Sequence, residues 1–335
     1  MFFRFLFSFL SGLLNRKEAA EKEAGEELTR NQFDMLTYLE KNGRQRGEPG
    51  QLAERLGVSA GKDEKLIREL DELNYINILQ DGVEISEKGL KALEPYRVRK
   101  AIILAAGFGS RLAPVTLDTP KPLVRIKGVR ILDTLLDALI GKGITNITIV
   151  RGYKKEQFDE LLEKYPGLSF IDNPEYNVTN NISSAVAALD RIDRCYICEA
   201  DLWISNPDVI NKYEYRSKYL GTKVAETEDW CLTVRNGVIT DYQRGGTDCY
   251  QAYGISYWNS EDAEKLKTDL MRVYHARAGK ENLWEMVPLK IARKNYSLEI
   301  RECKPSDITE IDNFSELVAV DPSYANYPGH EAFNG

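Results

Sequence analysis

The chemistry-bearing residues of this chain begin at Gly107-Phe108-Gly109-Ser110-Arg111, followed by Lys121 inside T-P-K-P-L. Two closely spaced glycines let a backbone turn sharply and come close to a ligand. Free N–H groups in such a loop form a cradle for an anion. Arg111 adds a bidentate phosphate donor and Lys121 a point charge whose backbone is stiffened by flanking prolines. The set points to polyphosphate chemistry. Acidic residues lie further along: Asp201 closes C-Y-I-C-E-A-D, and Glu310 and Asp312 stand two apart in I-T-E-I-D-N-F. That spacing puts the last two on one side of an extended segment.

The elements that must position these residues read as an α/β unit. Ala101–Ala105 is an apolar, β-branched run, the pattern of a first buried strand in a parallel sheet. The segment ILDTLLDALIGKGITNITIVRGYKKEQFDELLEKY reads helix, strand, helix. The segment YNVTNNISSAVAAL should start a helix with Asn and Ser at its N-terminus. Asp201 then falls at the carboxyl end of a strand, where open α/β sheets bind ligands.

Familiar phosphate motifs do not fit. Leu112 stands where the dinucleotide fingerprint needs its third glycine, and the Walker lysine motif is absent. The longer string LAAGFGSRLAPVTLDTPKPL instead resembles the signature of the sugar-phosphate nucleotidyltransferase superfamily. Within it, GYKKEQFD, YNVTNN, EAD, EDWCL, GISYW and EID resemble the phosphocholine cytidylyltransferases. That resemblance implies a Rossmann-like, mixed but mainly parallel sheet of the GT-A-like kind. It implies that Ala105, Ala106 and Gly107 meet base and ribose, and that Gly109, Ser110, Arg111 and Lys121 hold the triphosphate, with Arg111 and Lys121 catalytic. Asn180, Asn181 and Ser184 match the asparagine-rich nucleotide-side segment. Asp201 and Asp312 match metal-binding aspartates, with Glu310 beside them.

The implied reaction joins CTP to phosphocholine and releases pyrophosphate. Mg²⁺ on hard carboxylate oxygens would neutralise the meeting anions. No protein nucleophile is needed, which suits a chain with two histidines. A trimethylammonium is recognised by aromatic faces, and Trp230, Tyr257, Trp258 and Trp284 are the expected acceptor-binding rings. Nearby Glu228, Asp229 and Glu285 could add negative charge. A primary ammonium, as in 2-aminoethylphosphonate or phosphoethanolamine, would want more carboxylates and fewer rings. A sugar 1-phosphate would want hydroxyl-pairing side chains.

Length and composition set the frame. At ~150 residues per domain, 335 residues suggest two domains. The expected divisions are an apolar tail and charged linker over 1–27, a small α-rich domain over 28–96, the nucleotidyltransferase domain over 97–322 and a loose tail over 323–335. A net charge of −7 argues against a general nucleic-acid coater. Five sparse cysteines, an odd number, suit a reducing, cytoplasmic setting, and Cys195-x-x-Cys198 reads as buried free thiols. No apolar stretch reaches the ~20 residues of a membrane span; residues 1–14 read as a peripheral membrane contact.

The order LAERLGVS, KLIRELDELNYI, GVEISEKGLKAL resembles a MarR-like winged helix-turn-helix domain, with a hairpin at Asp81-Gly82. Its expected recognition helix, 61–73, carries Lys62, Lys65 and Arg68 against Asp63, Glu64, Glu69, Asp71 and Glu72. Phosphate contacts need Lys or Arg, so packing, homo-oligomerisation or regulation is the expected role. The rival reading is a DNA-binding regulator that uses the larger domain to sense a ligand.

Overall fold

A computed structural model describes residues 27–46 and 62–329. The tail at 1–14 and the segment GQLAERLGVS lie outside the described residues. The chain divides into two units, Met1–Arg97 and Val98–Gly335.

In the first unit, helix α1 (Arg30–Asn42) opens with a capping box between Thr29 and Gln32 and buries Phe33, Met35, Leu36 and Leu39. A short β1 (Gln45–Arg46) follows, then α2 (Lys62–Glu72), β2 (Ile76–Leu79), β3 (Gly82–Ile85) and α3 (Glu87–Leu93). The three strands pair in the order β1-β3-β2. The hairpin forms where expected, but its two-residue loop is Gln80-Asp81, and Gly82 is the first residue of β3. A side chain at Gly82 would strike the Gln45 carbonyl, so the close approach of β1 requires glycine there.

The second unit carries the sheet. Its elements are β4 (Lys100–Ala105), β5 (Arg125–Ile126), β6 (Val129–Arg130), α4 (Ile131–Gly141), β7 (Asn146–Arg151), α5 (Leu161–Lys164), β8 (Ser169–Asp172), α6 (Ile182–Ala187), β9 (Cys195–Glu199) and β10 (Leu202–Ile204). They continue with β11 (Lys218–Arg235), β12 (Val238–Trp258), α7 (Ser260–Tyr274), β13 (Glu299–Glu302), β14 (Ile308–Glu310) and α8 (Phe314–Val320). Seven strands form one sheet in the order β11-β13-β12-β9-β4-β7-β8. β4 is parallel to both β7 and β9, β8 is parallel to β7, and β12 joins β9 antiparallel. The fold is a mixed, mainly parallel α/β sheet, as expected.

Strand periodicity explains how both faces are covered. Ala101, Ile103 and Ala105 of β4 pack with Leu132, Leu135 and Leu139 of α4. Ile102 and Leu104 face the other way, into a core with Leu266 and Leu270 of α7. Burying each such side chain stabilises the fold by roughly 1.5–3 kcal/mol.

A second, two-stranded sheet matters more for the site. β14 pairs antiparallel with β10, putting Leu202 opposite Glu310, and the Ile311 N–H donates to the Asp201 carbonyl at 3.2 Å. The carboxyl end of β9 and the I-T-E-I-D segment thereby become neighbours. Pro322–Asn326 forms a 3₁₀ turn, and the Tyr324 hydroxyl donates to the Arg125 carbonyl at 2.7 Å. Among the described residues no helix is long and apolar enough to cross a membrane.

Candidate active site

A cavity of about 730 Å³ opens at the carboxyl ends of β4 and β9. It is lined by the glycine loop after β4, the turn before α6, the end of β9, and the long β11–β12 hairpin. Ala105, Ala106, Gly107, Gly109, Ser110, Arg111, Lys121, Asn180, Asn181, Ser184, Asp201, Glu310 and Asp312 all line it. These thirteen residues, all singled out in the sequence, thus meet in one space, and Asp229, Trp230 and Glu285 line it too.

The glycine loop is shaped by its packing. Gly109 has φ +64°, and a Cβ there would lie 2.7 Å from Lys121 Cβ and 3.2 Å from Thr116 Cγ2. Glycine is therefore required twice over, by the left-handed backbone and by the lysine packed against it. Lys121 is buried, and its Nζ donates to Asp201 Oδ2 at 2.8 Å and to Asp312 Oδ1 at 3.1 Å. Burial pulls the Lys121 ammonium down, but Asp201 and Asp312 outweigh it and hold it above its ordinary value. Arg111 Nη2 reaches Asp312 Oδ1 at 3.0 Å from a mostly exposed position.

Asp201, Glu310 and Asp312 bring carboxylate oxygens within 4.8 Å of one another. Asp201 Oδ1 is buried and has no hydrogen-bond partner among the described residues. An unsatisfied buried oxygen beside two further hard oxygen donors suits a divalent cation of the Mg²⁺ kind. Burial, with Asp201 and Asp312 next, pushes the Glu310 carboxyl well above its usual range, against the smaller opposing pull of Lys121.

Deeper in, Glu199 from the end of β9 faces Glu285. Gly254 of β12 leaves room for the Glu199 side chain, since a Cβ there would strike Glu199 Cγ. Glu199 Oε1 accepts from Asn181 Nδ2 at 3.2 Å and from Trp284 Nε1 at 3.1 Å. Asn181 Nδ2 also reaches Glu285 Oε2 at 3.5 Å. Burial first, then Glu285, pushes the Glu199 carboxyl well above its usual range. Burial also raises the Glu285 carboxyl above its ordinary value. Tyr219, Tyr242 and Trp230 complete this end, with Trp230 stacked on Tyr242 at 4.8 Å and 17°.

The family identity follows from comparison with known proteins. The family described as Nucleotidyl transferase matches residues 100–228. The chain is 38% identical over 229 residues to a 2-aminoethylphosphonate cytidylyltransferase of Lancefieldella rimae, covering 67% of this chain and 92% of that protein. It is 31% identical over 223 residues to a choline-phosphate cytidylyltransferase of Streptococcus pneumoniae, covering 65% of this chain and 94% of the relative. The structure of the CTP:phosphocholine cytidylyltransferase from Streptococcus pneumoniae superposes with a TM-score of 0.63 at 29% identity, over 68% of this chain and 99% of that one. This chain belongs to the nucleotidyltransferase family, among its cytidylyltransferases. As a cytidylyltransferase it is an enzyme, and it acts on a phosphate-bearing substrate.

Three of the expected acceptor rings of this cytidylyltransferase are elsewhere. Tyr257 is buried on the α4 side of the sheet, edge-on to Tyr196 at 5.7 Å. Trp258 is fully buried on the opposite face, edge-on to Trp284 at 6.2 Å and Tyr296 at 5.8 Å, with its Nε1–H donated to Ser256. Trp284 is also fully buried and only backs the cavity, through its bond to Glu199. Neighbours on a strand face opposite ways, so Tyr257 and Trp258 belong to two different cores. Of the four, Trp230 alone lines the cavity.

Asn181, expected on the nucleotide side, has its amide committed to the acid pair, and its Oδ1 accepts from the Trp284 N–H at 2.8 Å. Glu199, Tyr219, Tyr242 and Arg244 also line the cavity, although the sequence reading assigned them no role. E-A-D carried a signal for Glu199. Nothing local marks Arg244, which reaches the site because its register partner is Trp230.

Proposed function

We propose that this enzyme transfers the cytidylyl group of CTP to 2-aminoethylphosphonate, in preference to phosphocholine. The carrying observation is the acid pair Glu199–Glu285 at the inner end of the cavity, with a single stack, Trp230 on Tyr242, beside it. Two adjacent carboxylates, Glu285 buried and Glu199 half-buried, suit a primary ammonium, which donates three hydrogen bonds. A trimethylammonium donates none of the conventional kind and calls for a cage of rings. With Tyr257, Trp258 and Trp284 packed within the protein, the rings left beside the acid pair are Tyr219, Tyr242 and Trp230. The higher identity to the aminoethylphosphonate enzyme supports the same choice.

In this reading the glycine loop, Arg111 and Lys121 receive the triphosphate. The acceptor's phosphonate oxygen attacks the α-phosphorus in line. A new P–O bond forms there as the bond to the β-phosphate oxygen breaks and pyrophosphate departs. Lys121 and Arg111 stabilise the charge that grows on the phosphoryl oxygens. Arg244, an exposed cation on the hairpin wall, offers the acceptor's phosphonate a partner. Asp201, Asp312 and Glu310 would hold Mg²⁺, which lowers the repulsion between acceptor and triphosphate. Glu199 and Glu285, held by Asn181 and Trp284, orient the ammonium.

For the first unit we carry forward a winged-helix fold with a packing or dimerising role. For residues 1–14 we carry forward a membrane-surface contact, and for the enzyme a cytoplasmic location.

The test is pyrophosphate release with Mg²⁺, crossing CTP, UTP and dTTP against 2-aminoethylphosphonate, phosphoethanolamine, phosphocholine and glucose 1-phosphate. The expected result is turnover confined to CTP, with the aminophosphonate at least about 100-fold above phosphocholine in kcat/KM, the effect of a charged partner left unpaired. Phosphocholine equal to or better than the aminophosphonate would overturn the acceptor assignment. Silence from folded protein would return weight to the ligand-sensing regulator.

A further inference from the structure

The ring between the two glycines has no part in the chemistry above. Phe108 is 44% exposed and packs into neither core of the sheet. It sits between two tyrosines, with its centroid 5.2 Å from Tyr153 at 53° and 5.3 Å from Tyr176 at 52°. Both distances and tilts suit favourable ring pairs. The three rings come from three segments. Phe108 stands between Gly107 and Gly109, which line the cavity. Tyr153 follows β7. Tyr176 lies in the turn that leads to Asn180 and Asn181, and itself lines the cavity.

Each tyrosine is anchored independently of Phe108. The Tyr153 N–H donates to the Ala106 carbonyl at 3.0 Å, and its hydroxyl donates to the Thr116 carbonyl at 2.9 Å. Those bonds clip both ends of the loop that runs from Ala106 to Thr116. The Tyr176 ring lies over Gly152, where a Cβ would fall 2.6 Å from the ring. Phe108 inserts between these two fixed rings. The middle of the glycine loop is thereby tied to both neighbouring walls, at a point where two glycines would otherwise leave it loose.

We infer that Phe108 is a positioning residue for CTP: its ring, held between Tyr153 and Tyr176, fixes the glycine loop in the conformation that receives the triphosphate. The inference rests on assigning that loop to the nucleotide. Without the ring the loop must be ordered by the nucleotide itself, and that ordering weakens binding. The acceptor end, built on β9, β12 and Glu285, is not touched.

Four proteins decide it, assayed with CTP and the acceptor that wild type uses best: wild type, Phe108→Ala, Phe108→Tyr and Lys121→Ala. Phe108→Ala should raise the KM for CTP about tenfold, equivalent to about 1.4 kcal/mol, and leave the acceptor KM within about twofold. Its melting temperature should stay within a few degrees of wild type, because the ring packs into neither core of the sheet. Phe108→Tyr keeps the ring stack and should return the CTP KM to within about twofold of wild type. An unchanged CTP KM in Phe108→Ala, an equal rise in both KM values, or no rescue by tyrosine would overturn the inference. Lys121→Ala separates the two levels. Loss of its turnover beside a normal Phe108→Ala defeats the positioning role alone. Retained turnover in Lys121→Ala defeats the assignment of the loop to the triphosphate, and the inference with it.

Discussion

Lys121 and Asp201 are 80 residues apart in the chain, and the lysine Nζ lies 2.8 Å from the aspartate Oδ2. With Asp312 at 3.1 Å from the same nitrogen, the ammonium bridges the two carboxylates best placed for a metal. One cation therefore already offsets part of the acid cluster, and the site is poised for a second. Asp201→Asn removes charge while keeping shape. Turnover with CTP and acceptor should fall at least about 10³-fold, beyond the usual cost of losing one electrostatic contact. The circular dichroism spectrum should stay that of wild type. Wild-type-like turnover would take Asp201 out of the chemistry.

Glu285→Gln tests the acid pair. The neutral amide keeps its contact with Asn181 but loses the charge that faces an ammonium. The KM for a primary-amine acceptor should rise about 10- to 100-fold, the worth of one hydrogen bond to a charged group. The KM for CTP should hold. Steady-state kinetics with both substrates varied gives both values, and a change confined to CTP would place the pair on the nucleotide instead.

Arg244→Ala should raise the acceptor KM by about tenfold or more, as expected for a lost charge-assisted contact to a phosphonate. Arg244→Lys should recover part of the loss, because a point charge replaces a planar fork. Equal behaviour of Ala and Lys variants in the same assay would mean that the charge is not used.

Trp230 and Trp258 make a contrast. Trp230→Ala should raise the acceptor KM more than the CTP KM, because the ring lines the cavity. Trp258→Ala should cost about 3–5 kcal/mol of stability through the void it leaves, with no selective change in either KM. Urea unfolding beside steady-state kinetics separates the two. A stable Trp258→Ala with a ruined acceptor KM would restore that ring to the site.

The acid limb of stability has an identifiable contributor far from the cavity. Burial pushes the Glu214 carboxyl up, but Lys218 and Arg301 outweigh it and hold it below its ordinary value of 4.5. Its Oε1 also accepts from the Tyr196 hydroxyl at 2.6 Å. A carboxyl with a depressed pKa in the fold adds stability that is complete above the unfolded value. That contribution is lost as pH falls through the folded value. Glu214→Gln should therefore be less stable than wild type by about 3–5 kcal/mol at pH 7, the cost of stranding a buried partner charge. The gap should narrow as pH is taken below 4.5, followed by thermal unfolding. A gap that stays constant from pH 7 to pH 3 would rule out the charge as its source.

Local sequence determined much of this protein, because the relevant physics is local. The run at Ala101–Ala105, the glycines at 107 and 109 and the proline-flanked Lys121 state a strand, a sharp loop and a cation within a short span; the strand forms, and the loop and the lysine both line the cavity. Asp201 at a strand end and Glu310-x-Asp312 were legible as carboxylates with a common orientation. Which residues met was decided by tertiary structure. The pairing of β14 with β10 brings Glu310 and Asp312 to Asp201, and no local pattern specifies it. The aromatic residues show the same limit. Trp230, Tyr257, Trp258 and Trp284 look alike as large rings in one stretch of chain, and composition could not rank them. Strand alternation and register sent Tyr257 to one face of the sheet, Trp258 to the other and Trp230 into the cavity, while the turn that carries Trp284 set that ring behind Glu199. Glu199 and Glu285 became a pair because Gly254 leaves space and Asn181 bridges them, a relation among four separate segments that exists only once the sheet has closed.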